Sequence, residues 1–115
     1  MKPETKFSRH VQFLLSKIPN TYFFKAQQKS IRGIPDLIIC CNGKFLAWEL
    51  KVGKNKPDPL QEYVMEQICK SHGYAWEVNP KNLEWSIQQL LAIAGEKSKT
   101  IIELELELQF LENIF

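Results

Sequence analysis

The stretch that most constrains the fold is residues 33–51, which has the pattern of one β-hairpin. Residues 34–41 and 44–51 are rich in β-branched, aromatic and aliphatic side chains, and Asn42-Gly43 separates them. This pair favours a two-residue type I′ turn, which fixes the pairing register of the two strands. Counting back from Cys41 opposite Lys44 places Asp36 directly opposite Glu49.

The two acids are therefore expected to share one face of the hairpin with Lys51, which lies two residues beyond Glu49. Directly opposed carboxylates repel each other, and burying them costs several kcal/mol unless a cation or hydrogen bonds compensate. Apolar residues flank them on both faces, so we expect a sheet covered on both sides. Ile38, Cys40, Phe45 and Ala47 fall on the carboxylate face, and Leu37, Ile39, Leu46, Trp48 and Leu50 on the other.

Two interpretations of this charged cluster follow from spacing alone. In the first, Lys51 bridges the two acids in a structural ion pair at the edge of the sheet. In the second, Asp36 and Glu49 bind a divalent cation. Two carboxylates from adjacent strands, a backbone carbonyl and retained waters suit Mg²⁺, which prefers oxygen ligands.

Pro35-Asp36 followed by Glu49-Leu50-Lys51 resembles the signature of the PD-(D/E)XK nucleases, and a longer set of motifs resembles the VRR-NUC branch of that superfamily. The set spans roughly residues 4–94. Its members are Glu4, residues 33–37 (GIPDL), residues 48–51 (WELK), residues 59–61 (PLQ) and Gly73. The near absence of arginine, with only Arg9 and Arg32, departs from the pattern expected of a DNA-binding protein and leaves the manner of DNA contact open.

The resemblance implies an α/β fold with a restriction-endonuclease-like αβββαβ core, in which helices flank a mixed central sheet. It also implies an Mg²⁺-dependent, structure-selective DNA endonuclease that cuts branched DNA such as four-way junctions, with Mn²⁺ as a substitute metal. The catalytic residues would be Asp36, Glu49, Lys51, Gln61 and Glu4. The metal ligands would be Asp36, Glu49 and the Leu50 backbone carbonyl, with Glu4 as a further candidate.

Charge is distributed unevenly along the chain. Residues 1–56 hold eleven Lys and Arg against three acids, a balance of +8, whereas residues 57–115 hold four against ten, a balance of −6. The basic half carries the carboxylate cluster, which fits a polyanionic partner approaching from one side, although such segregation also serves solubility. The loops before and after the hairpin supply Lys29, Arg32, Lys54 and Lys56 as expected DNA contacts.

Helical periodicity and turn residues divide the rest of the chain. Residues 3–18 predict a helix with Glu4 in its first turn, where the acid either stabilises the helix dipole or serves the metal site. Asp58 and Pro59 predict the start of a second helix, in which Gln61 either closes a capping box or borders the active site. The apolar face of this helix, expected to be buried, comprises Leu60, Val64, Met65, Ile68 and Cys69.

The length of 115 residues indicates a single domain. The resemblance implies that residues 1–95 form the VRR-NUC nuclease domain and that residues 96–115 are an extension of it. The strict alternation of residues 102–110 favours a strand over a helix and leaves an apolar row that we expect to form a homodimer contact. Three cysteines without disulfide or zinc spacing, no apolar run of about 18 residues and a polar N-terminus predict a cytoplasmic protein without a membrane span.

Two other functions compete with the nuclease. The chain could be a DNA-binding or interaction module that has a nuclease fold but no catalysis, with Asp36 and Glu49 as remnants. It could also be a metal-dependent hydrolase of a different phosphate ester, because a fold does not fix a function.

Overall fold

The hairpin lies at the centre of a four-stranded mixed sheet in the computed structural model, which describes residues 1–26, 32–53 and 58–95. The elements, in chain order, are α1 (Pro3–Leu15), β1 (Thr21–Lys25), β2 (Leu37–Cys41), β3 (Lys44–Leu50), α2 (Pro59–Lys70), β4 (Tyr74–Val78) and α3 (Leu83–Ala94). Strands follow the order β1-β2-β3-β4, with antiparallel pairs except for the parallel pair β3-β4. The α/β class and the mixed sheet predicted from the sequence are confirmed.

The turn between β2 and β3 has the conformation that its sequence predicts. Asn42 and Gly43 both have positive φ, 51° and 79°, as a type I′ turn requires. Cys41 pairs with Lys44 and Leu37 pairs with Trp48, so the predicted register is correct along the whole of β2. One residue beyond the Leu37–Trp48 pair, Asp36 precedes Leu37 and Glu49 follows Trp48.

The hydrophobic core lies between one face of the sheet and the helices α1 and α3. Five apolar residues recur at helical spacing within residues 3–18, and all of them are buried: Phe7, Val11, Leu14, Leu15 and Ile18. Trp48 is fully buried at the centre of the sheet, with its ring centroid 5.7 Å from that of Trp76. Burying a large apolar side chain contributes about 1.5–3 kcal/mol, so this face anchors the hairpin.

Two asparagine side chains fasten the hairpin turn to the end of α3. The Asn42 side-chain amide donates to the Ile93 carbonyl at 3.1 Å, and the Asn20 amide donates to the Ala94 carbonyl at 3.3 Å. These carbonyls belong to the last turn of the helix, where no further helical N–H group is available. The turn that sets the register is thus held in place by the helix packed beneath it.

The opposite face of the sheet is covered less than the sequence suggests. No residue of α2 is buried, and Leu60 is 39% exposed, so the prediction of a fully buried apolar face on this helix is wrong. The helix packs chiefly against β4. One helix is about 10 Å wide and strands are spaced about 4.8 Å apart, so it covers about two strands of four.

The predicted strand in residues 96–115 and the expected DNA contacts Lys29, Lys54 and Lys56 lie outside the described residues. Within the described part of the chain, no helix is long and apolar enough to cross a membrane.

Candidate functional site

Asp36 and Glu49 are held against each other by two backbone hydrogen bonds. The Asp36 backbone N–H donates to Oε1 of Glu49 at 3.1 Å, and the Leu50 backbone N–H donates to Oδ2 of Asp36 at 2.8 Å. Each carboxylate therefore has one oxygen fixed by the opposite strand. The second oxygens, Oδ1 of Asp36 and Oε2 of Glu49, retain their capacity to accept a hydrogen bond or to bind a cation.

Glu49 is a buried acid, and burial of its negative charge costs free energy. Its residue exposure is 3%, and the pKa of its carboxyl is raised from 4.5 to about 8, chiefly by burial. Hydrogen bonding to the Asp36 carboxylate and repulsion from it contribute to this rise, whereas the charge of Lys51 and the hydrogen bond from the Asp36 backbone oppose it. The pocket therefore disfavours a negative charge on Glu49 unless a stronger positive charge is present.

Lys51 is the nearest cation. Its Nζ lies 3.7 Å from Oε2 of Glu49, and its side chain is 19% exposed. This distance is beyond a hydrogen bond, so the contact is chiefly electrostatic. Among the ion pairs of the described residues, Lys51 contacts Glu49 and not Asp36.

These groups open onto a cavity of about 300 Å³. Its wall is formed by Glu4, Thr5, Ser8, Lys25, Asp36, Glu49, Leu50, Lys51 and Val52. A larger cavity of about 520 Å³, between the start of α1 and Leu83, has a mostly apolar lining in which Lys6 and His10 are the ionisable residues. The smaller cavity is the better candidate for chemistry because it contains opposed acids and two cations.

The position of Glu4 is compatible with both of its predicted roles. It lies in the first turn of α1 and also lines the cavity beside the carboxylate pair. Gln61, by contrast, is not among the lining residues. Its Oε1 is buried and has no hydrogen-bond partner in the described part of the chain. Arg32 is exposed in the turn that precedes Gly33, also outside the cavity wall.

Sequence reasoning missed four residues of the cavity wall, of which Lys25 is the charged one: Thr5, Ser8, Lys25 and Val52. Lys25 ends β1, and the next residue, Ala26, donates its N–H to the Asp36 carbonyl at 2.9 Å. Pairing of β1 with β2 therefore brings the lysine to the acids. The pattern that could have indicated Lys25 is its place at the end of a strand, but no tight turn fixes the register of that strand.

The carboxylate pair suits a hard divalent cation. No cluster of three His, Cys, Asp or Glu side chains occurs within residues 1–26, 32–53 and 58–95, so the pair is the extent of the acidic set there. Mg²⁺ is commonly held by one or two carboxylates with several retained waters. Two anchored carboxylates with outward oxygens, one of them destabilised by burial, fit that mode of binding.

Comparison with known proteins gave no match to any family model, curated protein or solved structure. The resemblance to VRR-NUC nucleases therefore depends on the motif residues alone. Five residues of those motifs line one cavity although they come from three separate segments of the chain: Glu4, Asp36, Glu49, Leu50 and Lys51.

Proposed function

We propose that this protein is a metal-dependent DNA endonuclease with a PD-(D/E)XK core that cuts branched DNA such as four-way junctions. The observation that carries the proposal is the pair of opposed, backbone-anchored carboxylates of Asp36 and Glu49 beside Lys51 in one cavity. The element order αβββαβ and the mixed sheet support the core assignment.

Asp36 and Glu49 would hold the metal, Mg²⁺ or Mn²⁺, with the Leu50 carbonyl as a further ligand, and Glu4 lines the same cavity. When bound, the ion supplies positive charge that neutralises the phosphate and favours ionisation of water. The raised pKa of Glu49 supports this assignment, because a cation at Oε2 would stabilise the ionised carboxylate that burial disfavours.

The protein's own residues would supply the other requirements of hydrolysis, which are orientation of the water and positive charge near the phosphate. A water oxygen forms a bond to phosphorus and gives up a proton, while the bond from phosphorus to the leaving oxygen breaks and that oxygen gains a proton. Lys51 would orient the water and offset the negative charge that develops on the phosphate. Lys25 lines the same cavity and supplies a second cation for a phosphate oxygen.

A homodimer is the assembly that we propose for cutting a symmetrical junction. Its contact would come from the apolar row of residues 102–110, and two sites related by a two-fold axis would make paired cuts. Light scattering of the full chain should give a dimer, and truncation after Gly95 should give monomers that nick without pairing their cuts. A monomeric full-length chain at micromolar concentration would contradict this assembly.

The nuclease proposal is tested with labelled linear, flapped and four-way DNA in Mg²⁺, Mn²⁺ or EDTA. We expect metal-dependent cleavage that favours the junction, lost in Asp36→Asn and Glu49→Gln. Glu77→Gln is the matched control, because Glu77 pairs with Glu49 on the neighbouring strand and does not line the cavity. Full activity of either site variant, or equal cleavage in EDTA, would overturn the proposal. Metal-independent DNA binding without any cleavage would instead indicate a non-catalytic module.

A further inference from the structure

Two aromatic side chains of β1, the strand whose last residue lines the cavity, are exposed to solvent. Tyr22 and Phe24 lie on β1, an edge strand of the sheet among the described residues. They are 71% and 49% exposed, and their ring centroids are 6.5 Å apart with an angle of 51° between the planes. Phe23, between them, packs against the core on the opposite face.

These rings belong to the face of the sheet that α2 leaves uncovered. Tyr22 pairs with Cys40, and Cys40 pairs with Phe45, which is 47% exposed. Phe24 lies beside a groove that runs between β2 and α2. Clustered exposed aromatic side chains are a feature of binding surfaces rather than of inert ones.

Pairing of β1 with β2 gives the distance from the rings to the acids. Phe24 pairs with Ile38, and two residues further along each strand Ala26 bonds to Asp36. At about 3.3 Å per residue, Phe24 lies about 7 Å from the row of the carboxylates and Tyr22 about 13 Å. Lys25, between the rings and the acids, lines the cavity.

We propose that Tyr22 and Phe24 stack unpaired bases of the DNA strand whose backbone enters the cavity. This inference rests on the proposed nuclease function and specifies its substrate as DNA with single-stranded nucleotides next to the cleaved bond. Aromatic side chains beside cations bind single strands with little sequence preference, because every base has a face on which to stack. Tyr22 and Phe24 share one face of β1, and Lys25, at the end of this strand, lines both the groove beside Phe24 and the cavity.

Charge favours a nucleic acid over a second copy of this chain as the occupant. Lys25 is the charged residue of β1, and it lines both the cavity and the groove beside Phe24. A phosphate backbone that follows β1 towards the cavity complements this cation, whereas a second copy paired on β1 would bring a further lysine to the same edge.

The test measures binding of a single-stranded thymidine oligonucleotide in EDTA, so that no cleavage occurs. Tyr22→Ser and Phe24→Ser should each weaken binding about fivefold or more, while binding of a blunt duplex changes less than about twofold. Tyr22→Phe keeps the ring and should bind as the wild type does. Tyr63→Ser is the matched control, because this tyrosine is 59% exposed on α2 and does not lie on β1.

The outcomes separate this inference from the nuclease proposal. If the wild type cuts DNA but both serine variants bind the oligonucleotide normally, base stacking is wrong and the nuclease stands. If the rings are needed for binding but no DNA is cut with any metal, stacking stands and the nuclease proposal fails. Loss of a dimer in light scattering, with unchanged oligonucleotide binding, would show that β1 pairs with a second copy and would overturn the stacking proposal.

Discussion

Replacement of Glu49 by Gln should stabilise the metal-free protein, and increasingly so as the pH rises. Burial raises the pKa of this carboxyl to about 8 in the folded chain, from 4.5 for the free side chain. The folded state therefore binds the proton more tightly than the unfolded state. The stability that this proton contributes is fully present below pH 4.5, falls as the pH rises and is lost above about pH 8.

The size of the effect follows from the two pKa values. At about 1.4 kcal/mol per pH unit, the interval between them sets a ceiling of about 5 kcal/mol. Water in the cavity and relaxation around the charge reduce this ceiling, because the site opens to solvent. We therefore expect the free energy of unfolding of Glu49→Gln to exceed that of the wild type by about 1–2 kcal/mol more at pH 9 than at pH 6. That is about 5–10 °C in Tm.

The assay is thermal unfolding in EDTA from pH 6 to pH 9, repeated with Mg²⁺. Metal should raise the Tm of the wild type and leave Glu49→Gln unchanged, because the amide does not supply the charged ligand. Glu84→Gln, at an exposed first-turn acid of α3, is the control and should track the wild type at every pH. Parallel curves for the wild type and Glu49→Gln, or equal stabilisation of both by Mg²⁺, would refute the reasoning.

Four further substitutions test the site and its supports. Lys51→Met should abolish turnover while metal affinity by calorimetry stays equal or rises, and Lys25→Ala should raise KM more than it lowers kcat in cleavage assays. Gly33→Ala should cost about 1–3 kcal/mol in urea unfolding, because φ is +82° and the new Cβ would lie 2.8 Å from Cγ and 2.9 Å from the carbonyl oxygen of Leu60. Asp58→Ala should cost about 1 kcal/mol in the same assay, since its carboxylate accepts the Leu60 N–H at 2.9 Å as an N-cap. Unchanged kinetics in the lysine variants, or unchanged urea midpoints in the other two, would contradict these expectations.

The carboxylate pair could be located from the sequence because a local signal determines it. Asn42-Gly43 specifies a turn with two positive φ angles, and that turn alone sets the opposition of Leu37 and Trp48. The two acids stand one residue beyond the end of this ladder, where backbone N–H groups bond to their side chains. No long-range packing had to be known for this step.

The features of the fold that could not be predicted from the sequence depend on contacts between residues far apart in the chain. The register of β1 against β2 is set by packing rather than by a tight turn, so Lys25 could not be placed beside Asp36. The position of α2 over β4 is likewise a tertiary outcome, since periodicity reports an apolar helix face but not which strands that face covers. Exposure of Tyr22 follows from the same placement.

The stability measurement also separates the two interpretations of the charged cluster. If Asp36, Glu49 and Lys51 served as a structural ion pair, neutralising Glu49 would leave a buried partner without its counter-charge and would destabilise the fold. The structure shows a lysine 3.7 Å from one carboxylate oxygen and a Glu49 pKa still raised to about 8, so the attraction does not offset the desolvation. A neutral amide of the same shape should then suit the metal-free pocket better than the acid does. A residue that lowers the stability of the fold more often has a chemical role than a structural one. A more stable Glu49→Gln protein without cleavage activity would therefore support a catalytic site, and a less stable one would support the ion pair.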